Sequence, residues 1–177
     1  MKKKLFAFVI FIFIIQSVSA EARLPDTYAE FYARYQTEGR TYYGALKMYF
    51  EAVFVYMNNS MREEGEKMLR YSLHSQSPIE RSPSYSTFSE RLKDPAYHHI
   101  FRSFAAGSSP RNNYAMNPDD FELVFAGQPQ WERDYLKVPL ISSGADSPRM
   151  VWMKEFENGL WFVTNNASTY VGIKPAR

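Results

Sequence analysis

Two short stretches gather the residue types that could form a binding or reactive site. One is Arg102-Ser103-Phe104-Ala105-Ala106-Gly107-Ser108-Ser109-Pro110-Arg111-Asn112-Asn113-Tyr114. The other is Ser142-Ser143-Gly144-Ala145-Asp146-Ser147-Pro148-Arg149. Each combines glycine, proline, hydroxyls and arginine within a few residues. Gly144 permits a positive φ, Asp146 can accept from backbone N–H groups two residues on, and Pro148 fixes the chain entering the next element. Two uses follow. As a self-stapled connection, Asp146 pairs with Arg149 or Arg102, and the loops lie together at one end of the fold. As a polar rim at the mouth of an apolar pocket, Arg102, Asn112, Tyr114, Ser143, Asp146, Ser147 and Arg149 would face a ligand.

Other chemistry is sparse. The chain has no cysteine, no G-x-S-x-G, no phosphate-binding glycine loop and no H-E-x-x-H. His98 and His99 are adjacent, so on a helix their side chains diverge by about 100° and do not share a metal easily. His74 is the only other histidine, so neither a metal nor a cofactor is expected. Asp119-Asp120 follows Asn117-Pro118 and reads as turn chemistry rather than an acid/base pair. Asn58-Asn59-Ser60 and Asn166-Ala167-Ser168 match the glycosylation sequon by chance, given a leader of bacterial style.

The elements that must position these loops are legible from periodicity. A short helix is expected from Asp26, as N-cap after Pro25, through Tyr35, stopping near Gly39. Thr41 to Met57 is the strongest helix: Leu46, Tyr49, Phe50, Val53 and Met57 lie on one face, and Ala45, Met48, Ala52 and Val55 broaden it. Ser60-Met61-Arg62-Glu63 matches a capping box and starts a helix to about Leu73. Residues 74–86, rich in Ser with Pro78 and Pro83, form a loop. Phe88 to Leu92 is a helical turn, and Asp94-Pro95 opens a helix through Ile100, Phe101 and Phe104 to Gly107. Beyond Gly107 the period becomes alternating. Strands are expected at Phe121–Phe125, Tyr135–Ile141, Met150–Phe156 and Leu160–Thr164, the last two joined by a turn at Asn158-Gly159. A final extended piece covers Tyr170 to Ile173. Helices followed by an antiparallel meander make an α+β fold, with the N-terminal helices packed on a curved C-terminal sheet.

The first 20 residues stand apart. Lys2, Lys3 and Lys4 precede the apolar run Leu5–Ile15, and Val18-Ser19-Ala20 supplies small residues for a peptidase. This is the layout of a cleavable secretory signal peptide, with cleavage after Ala20. Its 11 apolar residues rise only about 16 Å as a helix, short of a roughly 30 Å bilayer core, so no span remains after cleavage. Removing residues 1–20 takes three lysines and no acid from 21 Lys+Arg and 19 Asp+Glu, leaving a formal net charge of −1. No basic block survives to recruit nucleic acid. The mature chain divides into an extension with a short helix, residues 21–40, and one α+β domain, residues 41–177. With no disulfides available, its many aromatic side chains must hold the core.

The pattern resembles an uncharacterised bacterial family of exported domains of unknown function. The likeness runs from Ala45-Leu46-Lys47 onward through Met68-Leu69-Arg70-Tyr71, the Arg102-to-Tyr114 stretch and the Ser-Gly-Ala-Asp-Ser-Pro-Arg string at 143–149. It closes on Trp161 and Val171-Gly172-Ile173-Lys174-Pro175. The chain departs from the family pattern at Met150, where Pro is expected, and at Asn113, where Gly is usual. The resemblance implies a nuclear-transport-factor-2-like, cystatin-type cone, helices wrapped in a strongly bent sheet, and no established activity.

These observations point to a periplasmic or secreted, non-enzymatic binding domain. Its partner would be a small ligand, an envelope protein or a toxin it neutralises, with dimerisation through the sheet a further use of such a cone. The alternative is a cone-fold enzyme, isomerase- or dehydratase-like, pairing Asp146 with Tyr114, Tyr42 or Tyr43. Burial separates the two: an acid deep in an apolar cavity suits catalysis, one on a solvated loop does not.

Overall fold

The computed structural model describes residues 23–176. The expected leader and its cleavage point after Ala20 lie outside these residues. Helix α1 spans Tyr28–Glu38 and ends at Gly39. Its N-cap is Thr27, whose hydroxyl accepts from Glu30 N at 3.2 Å, in place of the expected Asp26. Asp26 is held instead by Arg23, at 2.6 Å. Although read as an extension, α1 puts Phe31 and Tyr35 into the common core, and the Tyr35 hydroxyl donates to Trp161 O at 2.7 Å.

Helix α2, Tyr42–Met57, starts at Thr41 and is buried at every position from Ala45 to Met57 except Lys47. Its β-branched and aromatic residues have modest helix propensity, so burial rather than local preference holds it. Helix α3, Arg62–Ser72, packs beside it. Gly65 sets the closeness: a Cβ there would overlap the Tyr56 backbone. The expected capping box from Ser60 to Glu63 does not form. Asn58 Oδ1 accepts from both the amide and the hydroxyl of Ser60, capping a 3-10 turn at Asn59–Met61, and Met61 precedes α3 with no side-chain cap.

Helix α4 covers Ser86–Lys93. The long helix expected through Gly107 is shorter: Asp94 caps a 3-10 turn at Pro95–Tyr97, and α5 runs only from His98 to Arg102. It ends where Ser103 turns its hydroxyl to Ile100 O, at 2.6 Å, and to Ser142 Oγ, at 2.7 Å.

The sheet is an antiparallel meander of four strands in the order β1 (Gln130–Glu132), β2 (Tyr135–Leu140), β3 (Arg149–Glu155) and β4 (Trp161–Asn165). The expected first strand is corrected. Phe121–Phe125 makes only isolated bridges, Leu123 to Ala105 and Phe125 to Leu140, while the true β1 turns into β2 through Arg133, at φ 57. The last piece, expected as extended from Tyr170 to Ile173, is corrected too: Tyr170 closes a 3-10 turn over Ala167–Tyr170, and of the rest Val171 is extended but Gly172 sits at φ 63, so no strand forms there. Between helices and sheet the space is filled by rings, with Tyr35 stacked on Phe162 at 5.5 Å, Phe50 beside Phe104 at 5.3 Å and Phe54 edge-on to Phe121 at 5.0 Å. The sheet is tied to α2 where Asn166 Nδ2 donates to the Tyr49 hydroxyl at 2.8 Å. Among the described residues, no helix is long and apolar enough to cross a membrane.

Candidate functional site

The two polar loops meet through their serines. Ser143 N donates to Ser103 O at 2.9 Å, its hydroxyl reaches the same oxygen at 3.1 Å, and Ser108 Oγ lies 3.3 Å from Ser143 Oγ. The C-terminal segment is laced across them. The Tyr114 hydroxyl donates to Lys174 O at 2.5 Å, Lys174 N donates to Gly144 O at 2.9 Å, and Arg149 Nη2 donates to Gly172 O at 2.9 Å. Arg149 Nη1 also holds Ser147 Oγ at 3.1 Å. Asn112 is used locally, accepting from Ser109 N at 2.8 Å and donating to Gly107 O at 2.9 Å.

Two details of this assembly correct the sequence reading. Asp146 pairs with Lys174 rather than with Arg149 or Arg102. The Lys174 ammonium, by hydrogen bond and by charge, holds the Asp146 carboxyl below the usual aspartate range, and Arg149 adds to the effect. Asp146 is 84% exposed, so the pair is a solvated one. Gly144 does not adopt a positive φ. It is glycine because a Cβ would run into the Tyr114 hydroxyl and the Ile173 side chain.

Arg102 takes no part in this lacing. It lies on the wall of a cleft of about 730 Å³, within the size range of ligand pockets. The cleft is built by five separated segments. The end of α2 supplies Phe54, Val55 and Met57, with Asn58 at its C-cap, and Met61 follows; Arg23–Asp26 forms one wall; α5 gives His98 and Arg102; and Ala115, Met116, Pro118 and Asp119 close the other side. The Arg23–Asp26 wall is pinned by Leu24 N donating to Asp119 Oδ1 at 2.9 Å and by Arg34 Nη1 donating to Arg23 O at 3.2 Å. Thus Asp119, expected as a turn residue, also anchors a segment distant in sequence.

His98 is 8% exposed and its Nε2–H donates to Leu92 O at 2.9 Å. Burial pushes its imidazole below the ordinary histidine value; the Leu92 bond opposes this, and the nearby Arg102 and Arg62 charges add to the lowering. The ring is therefore neutral at pH 7. Arg102 has no hydrogen-bond or ion-pair partner among the described residues. Among the described residues the one nearly buried acid, Glu51 at 4% exposure, faces Arg34 between α1 and α2, outside this cleft. Burial raises its pKa and Arg34 partly offsets that. Among the described residues, no group of three His, Asp or Glu is placed to hold a metal ion.

A protein family described as a domain of unknown function, DUF6935, matches residues 23–177. The chain belongs to this family. No curated protein and no solved structure matches it. The DUF6935 match begins at Arg23, so α1 and the cleft wall before it fall inside the family's domain. The two positions expected to depart from the family pattern are both accommodated. Asn113 sits at φ 55, a left-handed conformation that asparagine tolerates better than most residues. Met150 uses the N–H that a proline would lack, donating to Ser168 Oγ at 3.0 Å.

Proposed function

We propose that this DUF6935 protein is an exported, non-enzymatic binding domain whose ligand occupies the cleft between the end of α2, α5 and the Arg23–Asp26 segment. Export rests on the leader layout of residues 1–20, with residues 21–177 as the working protein in the periplasm or outside the cell. The carrying observation is an open cleft of about 730 Å³ with an apolar floor and an arginine on its wall that no described residue satisfies. Three of its lining residues, Met57, Met61 and Met116, are methionines, whose unbranched side chains adapt to varied apolar shapes. The fold reading that goes with this is a nuclear-transport-factor-2-like cone of bacterial origin, supported by helices that precede a four-stranded antiparallel meander.

The alternative, an isomerase- or dehydratase-like enzyme, needs a carboxylate and a tyrosine together in an apolar pocket. Asp146 is solvated and paired with Lys174, and the Tyr114 hydroxyl is spent on Lys174 O. Tyr42 packs on Trp161 and Tyr43 on Phe125. These placements favour binding over catalysis.

Native mass spectrometry of protein purified from the cell envelope tests the proposal. The expected spectrum shows chains beginning at Glu21 and carrying a non-covalent adduct that is lost in Met116→Trp, which fills the cleft. Only bare mass from the wild type would overturn the binding reading, and a retained Met1 would overturn export.

A further inference from the structure

The polar groups of the cleft define the class of ligand it takes. This step rests on the cleft being the binding site. His98 and Arg102 are four residues apart on α5, and so share one helix face and both line the cleft. The other charges on the walls are already committed. Arg23 is paired with Asp26 at 2.6 Å and with Glu30 at 3.1 Å, and Asp119 accepts from Leu24 N. Arg102 is thus the one wall cation without a partner among the described residues.

His98 adds no second positive charge beside Arg102. A neutral ring whose Nε2–H donates to Leu92 O presents Nδ1 as a lone-pair acceptor. Nδ1 has no hydrogen-bond partner among the described residues. One unpaired guanidinium on the wall suits a head group with a single negative charge. A phosphate monoester would bring a second charge with no second cation on the walls to meet it, since Arg23 is paired with Asp26 and Glu30. Beneath the head position the floor is apolar, formed by Phe54, Met57 and Met116.

We propose that the cleft binds an amphipathic monocarboxylate, its alkyl or acyl chain along Phe54, Met57 and Met116 and its carboxylate on the Arg102 guanidinium. Guanidinium and carboxylate match as a planar fork, which a neutral head group cannot reproduce.

Isothermal titration of the purified mature protein with decanoate, decanol and decyl phosphate, each below its aggregation concentration, tests this. Decanoate should bind about tenfold or more tightly than decanol, with decyl phosphate weaker than decanoate. Arg102→Ala should bring decanoate down to the decanol level while leaving decanol unchanged, and Met116→Trp should remove binding of both. Arg102 is exposed, so its replacement leaves the fold intact. Equal binding of decanoate and decanol, or no effect of Arg102→Ala, would overturn the carboxylate assignment and leave the binding cleft standing. Tighter decyl phosphate would overturn the choice of head group. No binding of any of the three would overturn the inference, while the adduct spectrum of envelope-purified protein decides the binding reading separately.

Discussion

Gly144 and Asp146 sit two residues apart and carry different weight. Asp146 meets Lys174 in solvent, where such pairs contribute little. Gly144 lies against Tyr114 and Ile173 with no room for a methyl group. Gly144→Ala should therefore destabilise the protein by about 1–3 kcal/mol through overpacking, seen as a lowered denaturation midpoint, while Asp146→Ala should shift that midpoint far less. Reversed effects would show that the ion pair, not the close approach, secures the C-terminal segment. Glu51 offers a second test at this scale. Its pKa is raised in the fold, so its contribution to stability is fully present below the ordinary carboxylate value and is lost as pH rises through the raised one. Glu51→Gln removes this dependence. The melting temperature of the variant relative to wild type should therefore climb as pH rises above the ordinary carboxylate range; a constant difference would contradict the assignment. The serines, Gly144 and Tyr114 were legible as a loop cluster because their types suit turns. Lys174 was not, since nothing in the local pattern ties the C-terminal segment to residue 146.

Helix α2 was the clearest element in the sequence, and periodicity sufficed because it supplies so much of the interior. Phe50→Asp or Val53→Asp would bury an unpaired charge at a position with no exposure and should largely prevent folding. Gly65→Ala tests the packing of α3 on α2 more gently. The added methyl group meets Tyr56 backbone, which cannot swing aside, so a loss of about 1–3 kcal/mol is expected. With roughly 2–4 °C of melting temperature per kcal/mol in a chain of this size, a scanning melt resolves it, and no change would mean the helices are less close than described. Strands β2, β3 and β4 were legible from alternation and the Asn158-Gly159 turn, where Gly159 takes φ 74. Strand β1 was hidden because its turn uses Arg133 in a left-handed conformation, which carries no sequence signal. The end of α5 was hidden because the Ser103–Ser142 contact, not a glycine, breaks the helix.

At the scale of the molecule, the ring-filled interior and the laced C-terminal loops hold the scaffold, and the cleft is the place proposed for a ligand. That cleft was not legible, because its parts lie near residues 24, 55, 98–102 and 116 and share no motif. Only the four-residue spacing of His98 and Arg102 hinted at a common face. The methionines supply the most direct test of the claim that this cleft is the binding site. Met57, Met61 and Met116 line it, whereas Met48, Met68 and Met153 are fully buried in the core. In methyl NMR spectra of methionine-labelled mature protein, adding decanoate or a lipid extract of the cell envelope should shift the Met57, Met61 and Met116 signals and leave those of Met48, Met68 and Met153 in place. Unchanged spectra, or shifts confined to Met150 on the sheet, would contradict the account.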